Sequence, residues 1–132
     1  MRIFVSLLIG LLIGAFATVI GLSYLQKATS YHDGVMAVIS AQMRAMENAV
    51  KANRCADTDL IPSLQTMRAL GNDLEPAFLP TEDDKLFSDH AANYRAAVDE
   101  ALFVTPMNCL DANKMLDNLS TTCKTCHQDF KH

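Results

Sequence analysis

The sequence predicts an all-α protein, an antiparallel up-down-up-down four-helix bundle preceded by one N-terminal transmembrane helix. Half of the 132 residues are hydrophobic, Trp is absent and only five residues are Gly, a composition that suits helices better than sheets. A long uncharged run opens the chain, and four later stretches carry apolar residues at helical spacing. Helices of similar length joined by short connections favour antiparallel packing between neighbours.

The first predicted element is a membrane anchor over residues 1–26. Residues 3–25 carry no charged side chain and follow Arg2, and at about 1.5 Å a residue they give a helix of roughly 34 Å, enough to cross a hydrocarbon core. The positive end stays in the cytoplasm, so residues 27–132 are expected in the periplasm on a single-pass protein of the inner membrane.

Two features of this segment leave alternatives open. Residues 15–17, Ala-Phe-Ala, resemble a signal-peptide cleavage site, and cutting there would give a soluble periplasmic domain instead of an anchored one. Gly10 and Gly14 form a GxxxG pair, which would let two anchors pack together as a homodimer.

The first two helices of the exported domain are predicted over residues 33–53 and 59–75. The apolar stripe of the first recurs at spacings of three and four and consists of Met36, Ile39, Met43, Met46 and Val50. The stripe of the second consists of Leu60, Leu64, Met67 and Leu74. Pro62 falls in the first turn, where its missing N–H is tolerated. Pro76 and Pro80 are expected to bracket the following loop.

The third helix is predicted over residues 81–104 and the fourth from Asn108 onward, with Pro106 between them. Thr81, with Asp84 three residues later, resembles a helix cap. The inward stripe of the third helix consists of Phe87, Ala91, Tyr94, Val98 and Ala101. That of the fourth consists of Leu116, Leu119, Cys123, Cys126 and Phe130.

Two cysteines lie outside the last stripe. Cys55 follows the first helix and Cys109 opens the fourth, so an up-down bundle places both at the same end. In an exported protein we expect them to form a disulfide, with two free thiols as the alternative.

The stretch Cys123-Lys124-Thr125-Cys126-His127 matches CxxCH, the attachment signature of c-type haem. Residues three apart on a helix share a face, so both thiols can reach the vinyl groups of one porphyrin while His127 ligates its iron. A zinc site would need two further ligands, and the sequence has no second CxxC or HxxxH. A thioredoxin-like dithiol normally opens a helix in an α/β pattern. The motif therefore predicts one covalent haem c.

The charge of the chain limits its partners. There are 15 acidic and 11 basic residues, giving a formal charge of −4 without the Lys and Arg clusters that nucleic-acid binding needs. An acidic domain would suit a basic redox partner, although a charge of this size is also ordinary for solubility.

Residues 27–132 resemble the cytochrome c-prime superfamily, the four-helix c-type cytochromes with a C-terminal haem. The stretch 119–131, LSTTCKTCHQDFK, also resembles the last helix of the periplasmic b-type four-helix cytochrome, and 36–47, MAVISAQMRAME, is similar to its first helix. The resemblance implies that Met36 is the sixth iron ligand and that Lys131 contacts a haem propionate. In cytochrome c-prime proper an apolar residue there leaves the iron five-coordinate, and this sequence departs from that subgroup by offering Met.

The position of Met36 distinguishes it from the other methionines of its stripe. It lies nearest the predicted haem end, whereas Met43 is two turns deeper and is expected, with Met46, in the core. His32, one turn before Met36, would give a bis-His site instead, and an open sixth position is the third alternative.

Three other polar residues carry no expected role at the haem. His90 and His132 are expected to be solvated, and Arg44 lies eight residues beyond Met36, which is expected to be too far along the helix for a propionate contact.

Ligation by Met and His leaves no open position on iron and favours one-electron transfer. The sequence thus predicts a membrane-anchored periplasmic electron carrier with low-spin haem, free or as a subunit of a larger complex. We expect no enzymatic activity, because no distal acid–base pair is evident near Met36. The alternative is a five-coordinate c-prime-like protein that binds NO or CO.

Overall fold

The computed structural model describes residues 10–11, 13–20, 22, 30–104 and 106–130. Throughout these residues the regular structure is helical and no strand occurs, which confirms the predicted all-α class. Most of the predicted anchor, like Lys131 and His132, lies outside the described residues. The part of it that is described is helical with exposed apolar side chains. None of the helices in these ranges is both long and apolar enough to cross a membrane.

Between Ser30 and Phe130 the described chain forms five helices. They are α1 (Tyr31–Lys51), α2 (Asp57–Leu70), α3 (Leu74–Phe78), α4 (Asp84–Phe103) and α5 (Cys109–Phe130). Helix α1 packs against α2 and α5, and α4 packs against the same two helices. The four long helices are therefore neighbours in the cyclic order α1, α2, α4, α5. The short helix α3 contacts α1 and α4.

The core contains the faces that periodicity predicts. In α2, α3 and α4 every residue that was predicted to face inward is buried. These residues are Leu60, Leu64, Met67, Leu74, Phe87, Ala91, Tyr94, Val98 and Ala101. Burying one large aliphatic side chain contributes roughly 1.5–3 kcal/mol. The stripes of α1 and α5 divide. The buried members are Ile39, Met46, Val50, Leu116 and Leu119, whereas Met36, Met43, Cys123 and Phe130 are half-buried against the core. Cys126 is also half-buried but does not pack against the core.

The predicted second helix, 59–75, is wrong at its end, since α2 stops before Gly71 and Glu75 belongs to a separate short helix. Arg95 of α4 donates hydrogen bonds to the Gly71 carbonyl at 2.9 Å and to both Glu75 carboxylate oxygens at 2.8 and 2.9 Å. Pro76 lies in the first turn of α3 instead of opening a loop, because its missing N–H costs nothing there.

The helix caps are close to those predicted. Asp84 accepts hydrogen bonds from the Thr81 backbone and hydroxyl, but the cap of α4 is Asp83, whose Oδ1 accepts from the Leu86 N–H at 2.9 Å. Asn108 caps the start of α5, where its Oδ1 accepts from the N–H three residues later at 3.0 Å.

The structure joins the two cysteines outside the CxxCH motif. Cys55 and Cys109 form a disulfide with their Cα atoms 5.3 Å apart. Asn53 has φ 56°, a left-handed conformation that Asn tolerates and that ends α1 before the chain reaches Cys55. The end of α1 is thus tied to the beginning of α5.

Candidate functional site

A cavity of about 850 Å³ lies between α1, α4 and α5, with α3 at its side. Its size falls within the range of about 300–1,000 Å³ that is common for ligand and cofactor pockets. The lining includes all four predicted haem-binding residues that the structure describes: Met36, Cys123, Cys126 and His127. The motif on α5 and the candidate distal residue on α1 are 87 positions apart in sequence and meet at one cavity.

Helix α5 carries the motif in its last two turns. Thr121, Thr122 and Thr125 lie in this part of the helix, and each hydroxyl donates to the carbonyl four residues earlier. The Cys123 and Cys126 thiols are free and half-buried. Burial raises the pKa of both thiols, so both are protonated at neutral pH.

Helix α1 supplies the opposite wall. Met36 and Met43 are both half-buried and line the cavity, whereas Met46 is 0% exposed and belongs to the core, as predicted. The expectation that Met43 also lies in the core is only partly met, because the cavity extends about three helical turns beyond Met36, to Glu47.

His32, the alternative distal ligand, also lines the cavity. Its Nε2 is 3.2 Å from the Ser30 hydroxyl and 3.7 Å from an Asp33 carboxylate oxygen, and its ring centroid is 5.4 Å from that of Phe78. Its side chain remains 49% exposed. The Nε2 atom of His32 is therefore already directed to Ser30 and Asp33 at the start of α1.

His90 is not a solvated histidine, so that expectation is wrong. Its side chain is 11% exposed, lines the cavity, and places Nε2 2.8 Å from Oδ2 of Asp129 on α5. Periodicity missed His90 because it lies beside Ala91 at the edge of the buried face. A residue at such an edge is covered or exposed according to what packs there.

Arg44 lines the same cavity despite its distance along α1 from Met36. Its Nη1 donates to the Ser40 hydroxyl at 2.6 Å, a bond between side chains one turn apart. Among the described lining residues it is the only Lys or Arg. Lys131, the residue predicted to contact a propionate, lies outside the described residues.

Tyr94 closes the inner wall of the cavity. Its hydroxyl donates to the Met67 carbonyl at 3.0 Å, and burial followed by the nearby Cys123 raises its pKa. The phenol is thus a neutral, hydrogen-bonded wall element that links the cavity to the core.

No group of three or more His, Cys, Asp and Glu side chains that could hold a bare metal ion is found in the described part of the chain. Comparison with protein-family models, with curated proteins and with solved structures finds no match to this chain.

Proposed function

We propose that this chain is a membrane-anchored periplasmic c-type cytochrome that carries single electrons on one covalent haem with His and Met as axial ligands. The main support is that Cys123, Cys126, His127 and Met36 line one cavity. The CxxCH motif lies on one helix and is visible in the sequence alone. The presence of the Met36 thioether in the same cavity depends on how α1 packs against α5, so it supports the proposal independently of the motif.

The residues of the cavity fit a haem. Cys123 and Cys126 are free thiols on one face of α5, as two thioether bonds require. The cavity wall includes apolar side chains suited to a porphyrin face: Ile39, Phe78, Phe87 and Ala91. Arg44, oriented by Ser40, would hold a propionate, and Lys131 is a second candidate for that role.

We further propose that the helices form an antiparallel up-down-up-down bundle, which makes Met36 the better distal ligand. His127 is 18 residues beyond Cys109, roughly 27 Å along α5. Counting the same number of residues back from Lys51, the end of α1, reaches position 33, and counting from Cys55 reaches position 37. Met36 lies in this interval, whereas Met43 is about 10 Å deeper.

A haem with both axial positions filled supplies a one-electron change at iron without a site for substrate. The residues of the chain would fix the porphyrin through Cys123 and Cys126, fill the axial positions with His127 and Met36, and limit water access with the apolar wall. A Met ligand raises the reduction potential relative to His.

The anchor and the partners form the rest of the proposal. The described part of residues 10–22 is helical, and Leu11, Ile13 and Phe16 are 69%, 65% and 71% exposed, as expected of side chains that meet lipid. A tether would confine the haem domain near its redox partners and raise its local concentration. A Cβ at Gly10 or Gly14 would meet nothing within 4 Å, which leaves this face open for a second anchor.

The test is the absorption spectrum of the full-length protein, purified in mild detergent, in its oxidised and reduced forms. We expect a low-spin spectrum with a Met–iron charge-transfer band, and no rapid change when CO is added to the reduced protein. A high-spin reduced form that binds CO rapidly would contradict electron transfer as the function and support the five-coordinate, gas-binding alternative.

A further inference from the structure

One interhelical pair lies beside the motif without belonging to it. His90 Nε2 on α4 donates to Asp129 Oδ2 on α5 at 2.8 Å, across 39 positions of sequence. The histidine side chain is 11% exposed and the aspartate side chain 43%. Within the described ranges, this is the only side-chain hydrogen bond that links α5 to another helix.

Aromatic packing holds the same turn. The Phe130 ring meets His90 edge-on with centroids 6.0 Å apart, and it meets Phe87 edge-on at 5.3 Å. Phe87 in turn lies 5.4 Å from Phe78 of α3. Asp129 and Phe130 are thus both fixed to α4, one by a hydrogen bond and the other by ring contacts.

These contacts hold the same helical turn that carries His127. The last turn of a helix lacks part of its backbone hydrogen bonds and frays easily. His127 lies in that turn of α5, two residues before Asp129. An axial ligand in a fraying turn would not keep a fixed orientation, and partners outside the ligand set often provide that orientation.

We propose that His90 and Asp129 are positioning residues for the proximal ligand, because they clamp the last turn of α5 against α4 and so fix His127 toward the haem iron. This inference rests on the proposed function. The pair does not touch the reacting iron in this account and acts only through the helix that carries His127.

The experiment compares haem-loaded full-length variants. His90→Leu removes the donor and Asp129→Ala removes the acceptor of the hydrogen bond, whereas His90→Gln keeps a side-chain N–H donor and is the conservative rescue. Lys85→Gln is the matched control, because it breaks an exposed ion pair with Asp89 on the outer surface of the same helix. Amide hydrogen exchange of residues 128–130 reports the clamp, and the absorption spectrum and reduction potential report His127.

We expect His90→Leu and Asp129→Ala to speed amide exchange in that turn about tenfold and to shift both the spectrum and the potential. His90→Gln should restore most of the wild-type values, and Lys85→Gln should change neither. Asp129→Ala shortens a side chain that is 43% exposed and lies outside the core, so it remains informative if the change at His90 disturbs folding.

Two results would overturn the inference alone: unchanged exchange in both variants, or faster exchange with wild-type spectrum and potential, which would make the pair merely structural. A wild-type protein without covalent haem would instead overturn the proposed function, and the inference with it.

Discussion

At the residue scale, three methionines of one stripe have different surroundings. Met46 is fully buried, whereas Met36 and Met43 are half-buried and line the cavity. A fully buried thioether packed among core side chains fills space, but one that lines a cavity is available as a ligand. Met36 and Met43 differ in their height along α1, and the proposed antiparallel arrangement places Met36 nearer the level of His127.

Met36→Ala should convert a low-spin haem protein to a high-spin one that binds CO in the reduced state, because the sixth ligand is lost. Optical spectra with and without CO measure this change. Met43→Ala is the matched control and should keep the low-spin spectrum. If Met43→Ala exposes the iron and Met36→Ala does not, the distal ligand is Met43 and the height argument is wrong.

His90 and Arg44 show what residue-level sequence reasoning misses. His90 is covered because Phe130 and Asp129 of α5 pack on it, and Arg44 reaches the cavity because the cavity continues beyond the turn of Met36. Asp129 lies 39 positions from His90, so the sequence around His90 does not indicate this contact. The motif residues could be singled out from the sequence alone, because CxxCH is specified within five consecutive positions.

At the element scale, helical periodicity predicts whole faces but not every helix end. All five predicted inward residues of α4 are buried. The break between α2 and α3 was missed because Leu74 continues the spacing of Leu60, Leu64 and Met67. The structure makes that break through Arg95, a residue of another helix that binds Gly71 and Glu75.

The link between α3 and α4 should make stability depend on pH. The Arg95 hydrogen bond lowers the pKa of Glu75 from its ordinary 4.5. A carboxyl group with a lower pKa in the folded state stabilises the fold above its unfolded pKa and loses that contribution as pH falls through the folded value. The free energy of unfolding in urea should therefore fall on acidification below about pH 4.5.

Glu75→Gln should cost about 1–2 kcal/mol at pH 7 and show less of this acid-dependent loss. Lys85→Gln breaks only an exposed pair and should change stability little. Equal acid sensitivity in the Glu75→Gln variant and the wild type would show that this ion pair does not contribute.

The disulfide between the end of α1 and the start of α5 should stabilise the domain without affecting the spectrum of the haem. It closes a loop with a sequence separation of 54, so the double variant Cys55→Ser/Cys109→Ser should lose up to about 4 kcal/mol of unfolding free energy. Denaturant unfolding measures the loss. Neither cysteine lines the cavity, so the haem spectrum of the variant should match the wild type. An unchanged unfolding free energy would contradict this role.

At the scale of the whole molecule, the core and the cavity occupy different parts of the same helix packing. Stripe residues of α1 and α5 such as Met46 and Leu119 complete the core, while Met36 and Cys123 on the same stripes line the cavity. Periodicity alone places both sets inward, and it is the CxxCH motif and the position of Met36 in the chain that distinguish them. The extent of the cavity, which also reaches Met43, could not be predicted, because it depends on how the facing helices pack.

The most direct test of the central claim is the intact mass of the full-length protein expressed with a competent haem-attachment system. We expect the wild-type polypeptide to be heavier by one haem, and the double variant Cys123→Ala/Cys126→Ala to carry no added mass. A wild-type polypeptide without haem under these conditions would contradict covalent attachment at Cys123 and Cys126.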